Sequence, residues 1–200
     1  MNKPTIVVKV GGSLMDWPEL GPRLKDWLSS LSPAQILLIP GGGPTVDVIR
    51  DLDRWHRLGE ESAHWLALRA LTLNAHFLAG ILPSFNPMVV ADFQDCKSVW
   101  SNLALPVLDP FSFVRIDEGL SNHLPHLWTA TSDSLAARVA WRIGAQKLIL
   151  LKSCSVPQKS DWQSEAGLVD PLFSKIIGKA ATAGGPLEVR AFNFRDWPYQ

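Results

Sequence analysis

Two apolar runs, TIVVKV (Thr5–Val10) and AQILLIP (Ala34–Pro40), each stop at consecutive glycines, Gly11-Gly12 and Gly41-Gly42-Gly43. A third run, KLILLK (Lys147–Lys152), is similar in length and character. Runs this short, with apolar residues on both alternating faces, suit strands covered from both sides, so they predict a largely parallel sheet between helical layers. The intervening segments supply the helices. Trp17 to Leu31 carries Pro18 and Pro22 near its start, where proline is tolerated. Pro44 opens a helix towards Trp55, and Glu60 to Leu82 reads as a long helix, apolar nearly all round and so buried on more than one side. Pro83 to Pro87 is a loop, with short strands expected around Met88–Ala91 and Pro106–Leu108. Thr131-Ser132-Asp133-Ser134 leads into LAARVAWRIGA, a helix stopped by Gly144. Leu172 to Ala183 is helical and ends at Gly184-Gly185-Pro186, and LEVRAFNF (Leu187–Phe194) is a last strand. Strands alternating with helices define one α/β domain over residues 1–200.

The bulk properties narrow the function. Nineteen Lys and Arg balance nineteen Asp and Glu, so the formal net charge is zero. A nucleic-acid binder needs a basic surface, and this balance argues against one. No apolar stretch approaches a membrane span, and the run in MNKPTIVVKVGG is too short for a signal peptide. Two cysteines, Cys96 and Cys154, make neither a disulfide framework nor a zinc pattern, which points to a reducing, cytoplasmic setting. Nine tryptophans imply much structural use of indole rings in cores and interfaces.

In an open α/β sheet, ligands gather beyond the carboxyl ends of the strands. Gly11-Gly12-Ser13, Gly41-Gly42-Gly43 and Lys152-Ser153 all fall there. Lys9 is the most telling residue, because a buried ammonium needs a partner or a shifted pKa. It reads either as a strand-end lysine reaching water or as one awaiting a phosphate, and the bare Gly-Gly-Ser after it favours the phosphate. The triple glycine reads as a tight turn or as a second anion cradle at a helix N-terminus. Neither familiar phosphate loop, G-x-x-x-x-G-K-[ST] or G-x-G-x-x-G, is present here. Ser132 and Asp133 lie where an N-cap is expected, and Lys175 reads by itself as a solvated helix lysine. His56 and His64 read as packing or helix-surface groups, and no His or carboxylate spacing makes a metal site.

Taken in order, VVKVGGSL, IPGGGPTVDVI, TSDSLAARVAWRIGAQKLILL and FSKIIGKAATAGG…LEVRAF resemble the motifs of the amino acid kinase superfamily over nearly the whole chain. The resemblance implies a three-layer α/β/α sandwich and phosphoryl transfer from ATP with Mg²⁺, the metal carried by phosphates and water rather than by protein ligands. It also implies roles by position. Lys9 resembles the lysine that bridges the transferring phosphoryl group, and Gly11 and Gly12, with Ser13, resemble the backbone around it. Gly41, Gly42 and Gly43, with Ser132, resemble the acceptor side. Asp133 resembles the aspartate that orients two lysines, and Lys175 resembles the second of these. The short length, SAHWLALRAL and TSDSLAA are similar to a small archaeal branch that phosphorylates aminomethylfuran phosphate, together with its bacterial relatives.

One stretch departs from the pattern. Where the family has an acidic, glycine-containing nucleotide loop, this chain reads LLKSCSVPQ, with Lys152 and Ser153 as substitute contacts for donor phosphates. Two other readings stay open for that reason or beside it. One is a non-catalytic nucleotide- or anion-binding protein. The other is a kinase for a carboxylate acceptor held by Arg50, Arg54, Arg57 or Arg69. The apolar helix over Trp65–Leu82 predicts a homo-oligomer.

Overall fold

The strands β1 (Thr5–Val10), β2 (Gln35–Pro40), β3 (Pro87–Val90), β4 (Leu105–Leu108), β5 (Lys147–Lys152) and β6 (Glu188–Asn193) form one sheet in the order β3-β4-β2-β1-β5-β6. Every pairing is parallel. The computed structural model describes residues 3–157, 167–184 and 187–198. Gln158, Gly185 and Pro186, which fall at the ends of segments read above, lie outside the described residues.

The helices are α1 (Leu20–Ser30), α2 (Pro44–His56), α3 (Glu60–Ile81), α4 (Cys96–Ser101), α5 (Pro110–Asp117), α6 (Ser132–Ile143) and α7 (Phe173–Gly184). Strand residues alternate between two cores, as the period of two requires. Val7, Leu37, Ile39, Leu148 and Leu150 face a core built with α6, α4, α5 and α7. Ile6, Val8, Leu38, Ile149 and Leu151 face the other, built with α1 and closed by Phe194. This is the expected three-layer α/β/α sandwich.

Helix α3 explains its own composition. Leu68 and Leu71 enter the first core while Ala75 and Leu78 enter the second, so one helix seals both layers. Leu66, Leu73 and Phe77 nonetheless stay exposed. One expectation changes at an edge, and two stretches left unread gain helices. The helix expected from Trp17 begins at Leu20, because the segment ahead of it is spent on turns. Between β3 and β4 the chain forms α4, and α5 follows β4 directly, capped by Asp109, whose side chain accepts from Phe111 and Ser112 amides.

Candidate active site

Lys9 lies on β1 opposite Leu150 of β5, so Lys152 is on the same sheet face, one side-chain repeat further along. Both lysines face α6 near its first turn. There Asp133 meets both. Lys9 Nζ is 2.9 Å from Oδ1 and Lys152 Nζ is 2.7 Å from Oδ2. Lys9 approaches Oδ1 as an ion pair outside hydrogen-bond alignment, whereas Lys152 donates to Oδ2 and also to the Leu168 carbonyl at 2.6 Å. All three side chains are almost wholly buried.

Burial pushes the Asp133 carboxyl up, but the two ammonium groups outweigh it and hold the pKa below the usual carboxylate range. The Lys152 pKa is lowered, first by burial and then by Lys9, with Asp133 opposing both. Two ammoniums on one carboxylate leave a net positive charge in a poorly hydrated place. Such a charge is costly until an anion joins it.

Asp133 is free for this work because it does not cap its helix. Thr131 is the cap, its Oγ1 accepting from the Asp133 amide at 3.3 Å, so the N-cap reading of Ser132 or Asp133 is corrected. Asp170 fixes the same corner. Its carboxylate accepts from Thr131 Oγ1 at 2.7 Å, the Ser134 amide at 3.0 Å and the Ser134 hydroxyl, and from the Leu172 and Phe173 amides ahead of and opening α7. Further along α6, the wholly buried Arg138 makes a two-pronged bond to Asp117 of α5, both contacts at 2.9 Å.

The glycine turns divide their amides between two uses. Gly11 donates to the Leu151 carbonyl and Gly41 to the Val10 carbonyl, each at 2.8 Å, which extends the sheet bonding. Those two amides are therefore committed to the fold. The amides of Gly12, Gly42 and Gly43 donate to no acceptor among the described residues. The turns also lean on each other. A Cβ on Gly12 would overlap the Gly43 amide, one on Gly41 would overlap the Gly12 amide, and one on Gly43 would overlap the Gly12 carbonyl. Gly43 has a φ of 59°, a left-handed value that glycine takes without strain. Asn74, buried in α3, clamps the second turn by donating to Gly41 O at 2.8 Å, Gly42 O at 2.6 Å and Thr45 Oγ1 at 2.8 Å. Ser13 and Ser153 join the β1 and β5 loops through a 2.5 Å hydroxyl contact.

A cavity of about 280 Å³ opens from these turns. Gly12, Ser13, Gly42, Gly43 and Ser132 line one end. Val46, Leu68, Leu71, Leu127, Trp128 and Leu135 make its apolar walls. Arg50 also lines it, paired with Asp47 at 2.5 Å and lying over the Trp128 ring.

The fold thus brings together Lys9, Gly11, Gly12, Ser13, Gly41, Gly42, Gly43, Ser132, Asp133, Lys152 and Ser153. It does not bring Lys175 into contact with Asp133. Lys175 is exposed on α7, and the second lysine on Asp133 is Lys152. Asn74, Asp170 and Arg138 were missed in the sequence. Asn74 left a faint signal, a polar residue inside an otherwise apolar helix, and Asp170 left another, an Asp-Pro pair before a helix.

Residues 4–155 match the amino acid kinase family, and the chain belongs to it. It is 26% identical over 147 residues to the [5-(aminomethyl)furan-3-yl]methyl phosphate kinase of Methanocaldococcus jannaschii, a match covering 72% of this chain and 63% of that protein. Among solved structures, uridylate kinase from Archaeoglobus fulgidus superposes with a TM-score of 0.64 at 17% identity, covering 95% of this chain and 89% of that one. Carbamate kinase from Giardia lamblia bound to AMP-PNP superposes with a TM-score of 0.59 at 12% identity, covering 97% and 93%. At those identities the two structures bear on the fold alone.

Proposed function

We propose that this chain is a small-molecule kinase that moves the γ-phosphoryl group of ATP to an acceptor already carrying a phosphate monoester, such as [5-(aminomethyl)furan-3-yl]methyl phosphate. The observation that carries this reading is the buried Lys9–Asp133–Lys152 triad, with its surplus positive charge, beside three uncommitted glycine amides. Phosphoryl transfer asks a protein mainly for in-line placement and for positive charge where the transferring oxygens spread theirs. Lys9 and Lys152 supply the charge. Gly12, Gly42 and Gly43 supply N–H groups on the acceptor side.

Asp133 positions both lysines and is a poor base, since both of its oxygens face ammonium groups. The acceptor must then arrive already ionised. A phosphate monoester does. One of its oxygens forms a bond to the γ-phosphorus, the bond from that phosphorus to the β–γ bridging oxygen breaks, and the electron pair leaves on ADP. No proton need move.

The described residues hold no cluster of three or more His, Cys, Asp or Glu fit for a metal ion. A Mg²⁺ that travels on the nucleotide phosphates, where it would offset their charge, asks for no dedicated protein ligand.

The test is ADP release, measured by a coupled assay with the furan phosphate, isopentenyl phosphate, UMP and acidic amino acids as acceptors. Turnover on a phosphate acceptor that falls at least about a thousandfold in Lys9→Met supports the reading. Turnover that survives Lys9→Met overturns the mechanism. A carboxylate acceptor is the second reading, favoured by Arg50 in the cavity wall, and turnover on acidic amino acids alone would select it. Calorimetry with Mg-ATP and ADP separates both from a non-catalytic binder, which the rewritten LLKSCSV stretch motivates. For assembly, the exposed stripe of Leu66, Leu73 and Phe77 on α3 supports self-association. A stable monomer by light scattering at micromolar concentration would overturn that part.

A further inference from the structure

The cavity divides its polar groups unevenly. The uncommitted Gly12, Gly42 and Gly43 amides stand at one end, with Ser13 and Ser132. Beyond them the walls are Val46, Leu68, Leu71, Val114, Leu124 and Leu135. Helix α3 sets the length of this apolar stretch. Leu71 and Leu68 lie about one and two turns back from Asn74, which grips the glycine turn, a rise of roughly 9 Å. The volume of about 280 Å³ lies at the small end for ligand pockets. Leu127 lines the same cavity with 40% of its surface exposed. Its backbone is fixed, since its amide donates to the Pro125 carbonyl and its carbonyl accepts from the Ala130 amide, each at 3.0 Å. A large apolar side chain is thus held at the opening, where it gains nothing until an apolar surface covers it.

The charges argue in the same direction. Asp47 is the only anion among the described residues that line the cavity, and Arg50 already holds it at 2.5 Å. At the far end, burial and then His126 push the His64 pKa down to about 4, against upward pulls from the Leu127 carbonyl and Glu61. A cation placed along the apolar stretch would lose its hydration with no free carboxylate to meet it. A nucleoside would bring hydroxyls and base edges against aliphatic walls that return no hydrogen bond.

We infer that the acceptor is a phosphate monoester with a compact, uncharged, apolar body, and that Leu127 is a specificity residue that covers this body. The phosphate takes the glycine end and the body fills the aliphatic stretch. The inference rests on the kinase reading above and narrows it. The furan phosphate named there is then accepted for its phosphate and its ring, and its amine adds nothing to recognition.

The experiment measures kcat/KM for ethyl, propyl, butyl and pentyl phosphate, for 4-aminobutyl phosphate, which matches the pentyl ester in shape, and for UMP. Wild-type protein is expected to gain about fourfold per methylene, the worth of burying one CH₂ group. It should prefer pentyl phosphate to 4-aminobutyl phosphate and to UMP by at least about tenfold. Leu127→Asn should cut the pentyl-to-ethyl ratio by about fivefold or more, and Leu127→Met, which keeps an apolar wall, should retain most of it. A series flat in chain length, or an amine or nucleotide used as well as pentyl phosphate, overturns the acceptor class while leaving the kinase reading intact. A ratio unchanged in a folded Leu127→Asn protein overturns the role of Leu127. If wild type turns over none of these compounds, the kinase reading fails on them, and calorimetry with ethyl, pentyl and 4-aminobutyl phosphate decides the inference separately. Tightest binding of the pentyl ester, weakened in Leu127→Asn, upholds it. Equal binding, or none, overturns it.

Discussion

Replacing Asp133 by Asn keeps the shape of the side chain and removes its charge, leaving two buried ammonium groups side by side. Breaking a buried ion pair at one partner typically costs about 3–5 kcal/mol. This site has its own ceiling, because one lysine can escape by losing its proton. Lys152 is the one to do so, since burial and Lys9 already lower its pKa from 10.5. Deprotonating a lysine of ordinary pKa 10.5 at pH 7 costs about 5 kcal/mol, at about 1.4 kcal/mol per unit, and at pH 9.5 the same step costs only about 1.4 kcal/mol. The penalty of Asp133→Asn should therefore be about 3–5 kcal/mol at pH 7 and shrink to about 1–2 kcal/mol at pH 9.5. Urea denaturation of both proteins at the two pH values measures this directly. A penalty below about 1 kcal/mol at pH 7, or one that does not change with pH, would refute the claim that this carboxylate holds two buried cations. In acid the wild-type contribution behaves in the usual carboxylate sense. The folded pKa is depressed, so the stability is present above the ordinary value of 3.8 and is lost as pH falls through the folded one.

Three further perturbations probe the surroundings of the triad. Gly43→Ala adds a Cβ against the Gly12 carbonyl at a left-handed φ, so the two turns must part; a loss of about 2–4 kcal/mol by thermal or urea unfolding is expected, and a neutral result would refute their backbone contact. Asn74→Ala frees the Gly41 and Gly42 carbonyls and should cost about 1–3 kcal/mol, with Asn74→Asp no better because a carboxylate would face those carbonyls. Because its pKa is lowered, Lys152 loses its charge below pH 10.5 in the folded, ligand-free protein, so kcat/KM, which reports the free enzyme, should fall on an alkaline limb below that value and Lys152→Arg should move the limb upwards. In the same window, titration of Lys152 makes wild type more stable as pH rises, since the unfolded chain there binds the extra proton.

The sheet and its helices were largely legible because burial on both faces writes an unmistakable pattern. TIVVKV, QILLIP and KLILLK need no partner to be recognised as covered strands. Helix α5 was not legible, because PFSFVRID is short and its start depends on Asp109 capping and on Thr72 of α3 donating to the same carboxylate. Long-range partners of that kind leave no periodic trace. The N-cap of α6 shows the same limit. Thr131, Ser132 and Asp133 are all acceptable caps in isolation. The choice of Thr131 is made by Asp170, far along the chain, which accepts from the Thr131 hydroxyl and the Ser134 amide.

The lysines show most clearly where motif order stops and geometry takes over. Lys175 stands in the right place in the sequence for a second lysine, yet α7 leaves it exposed and away from Asp133. Lys152 stood out for its place at the carboxyl end of a strand and for the departure of its stretch from the family pattern, but not as a partner of Asp133. Its position follows from strand register alone. β1 and β5 pair with Lys9 opposite Leu150, so a residue two further along must share the Lys9 face and end beside α6. Register is a property of two strands together, and no single stretch records it. The same reasoning gives the departure a physical content. A chain that puts a lysine at the end of β5 places a second cation on Asp133 from the sheet itself, with no need for one from α7. The triad is then held by two adjacent strands and one capped helix, and such regular elements hold a site more stiffly than loops do. A site that must keep two like charges within reach of one carboxylate, and release them to an arriving anion, depends on that stiffness.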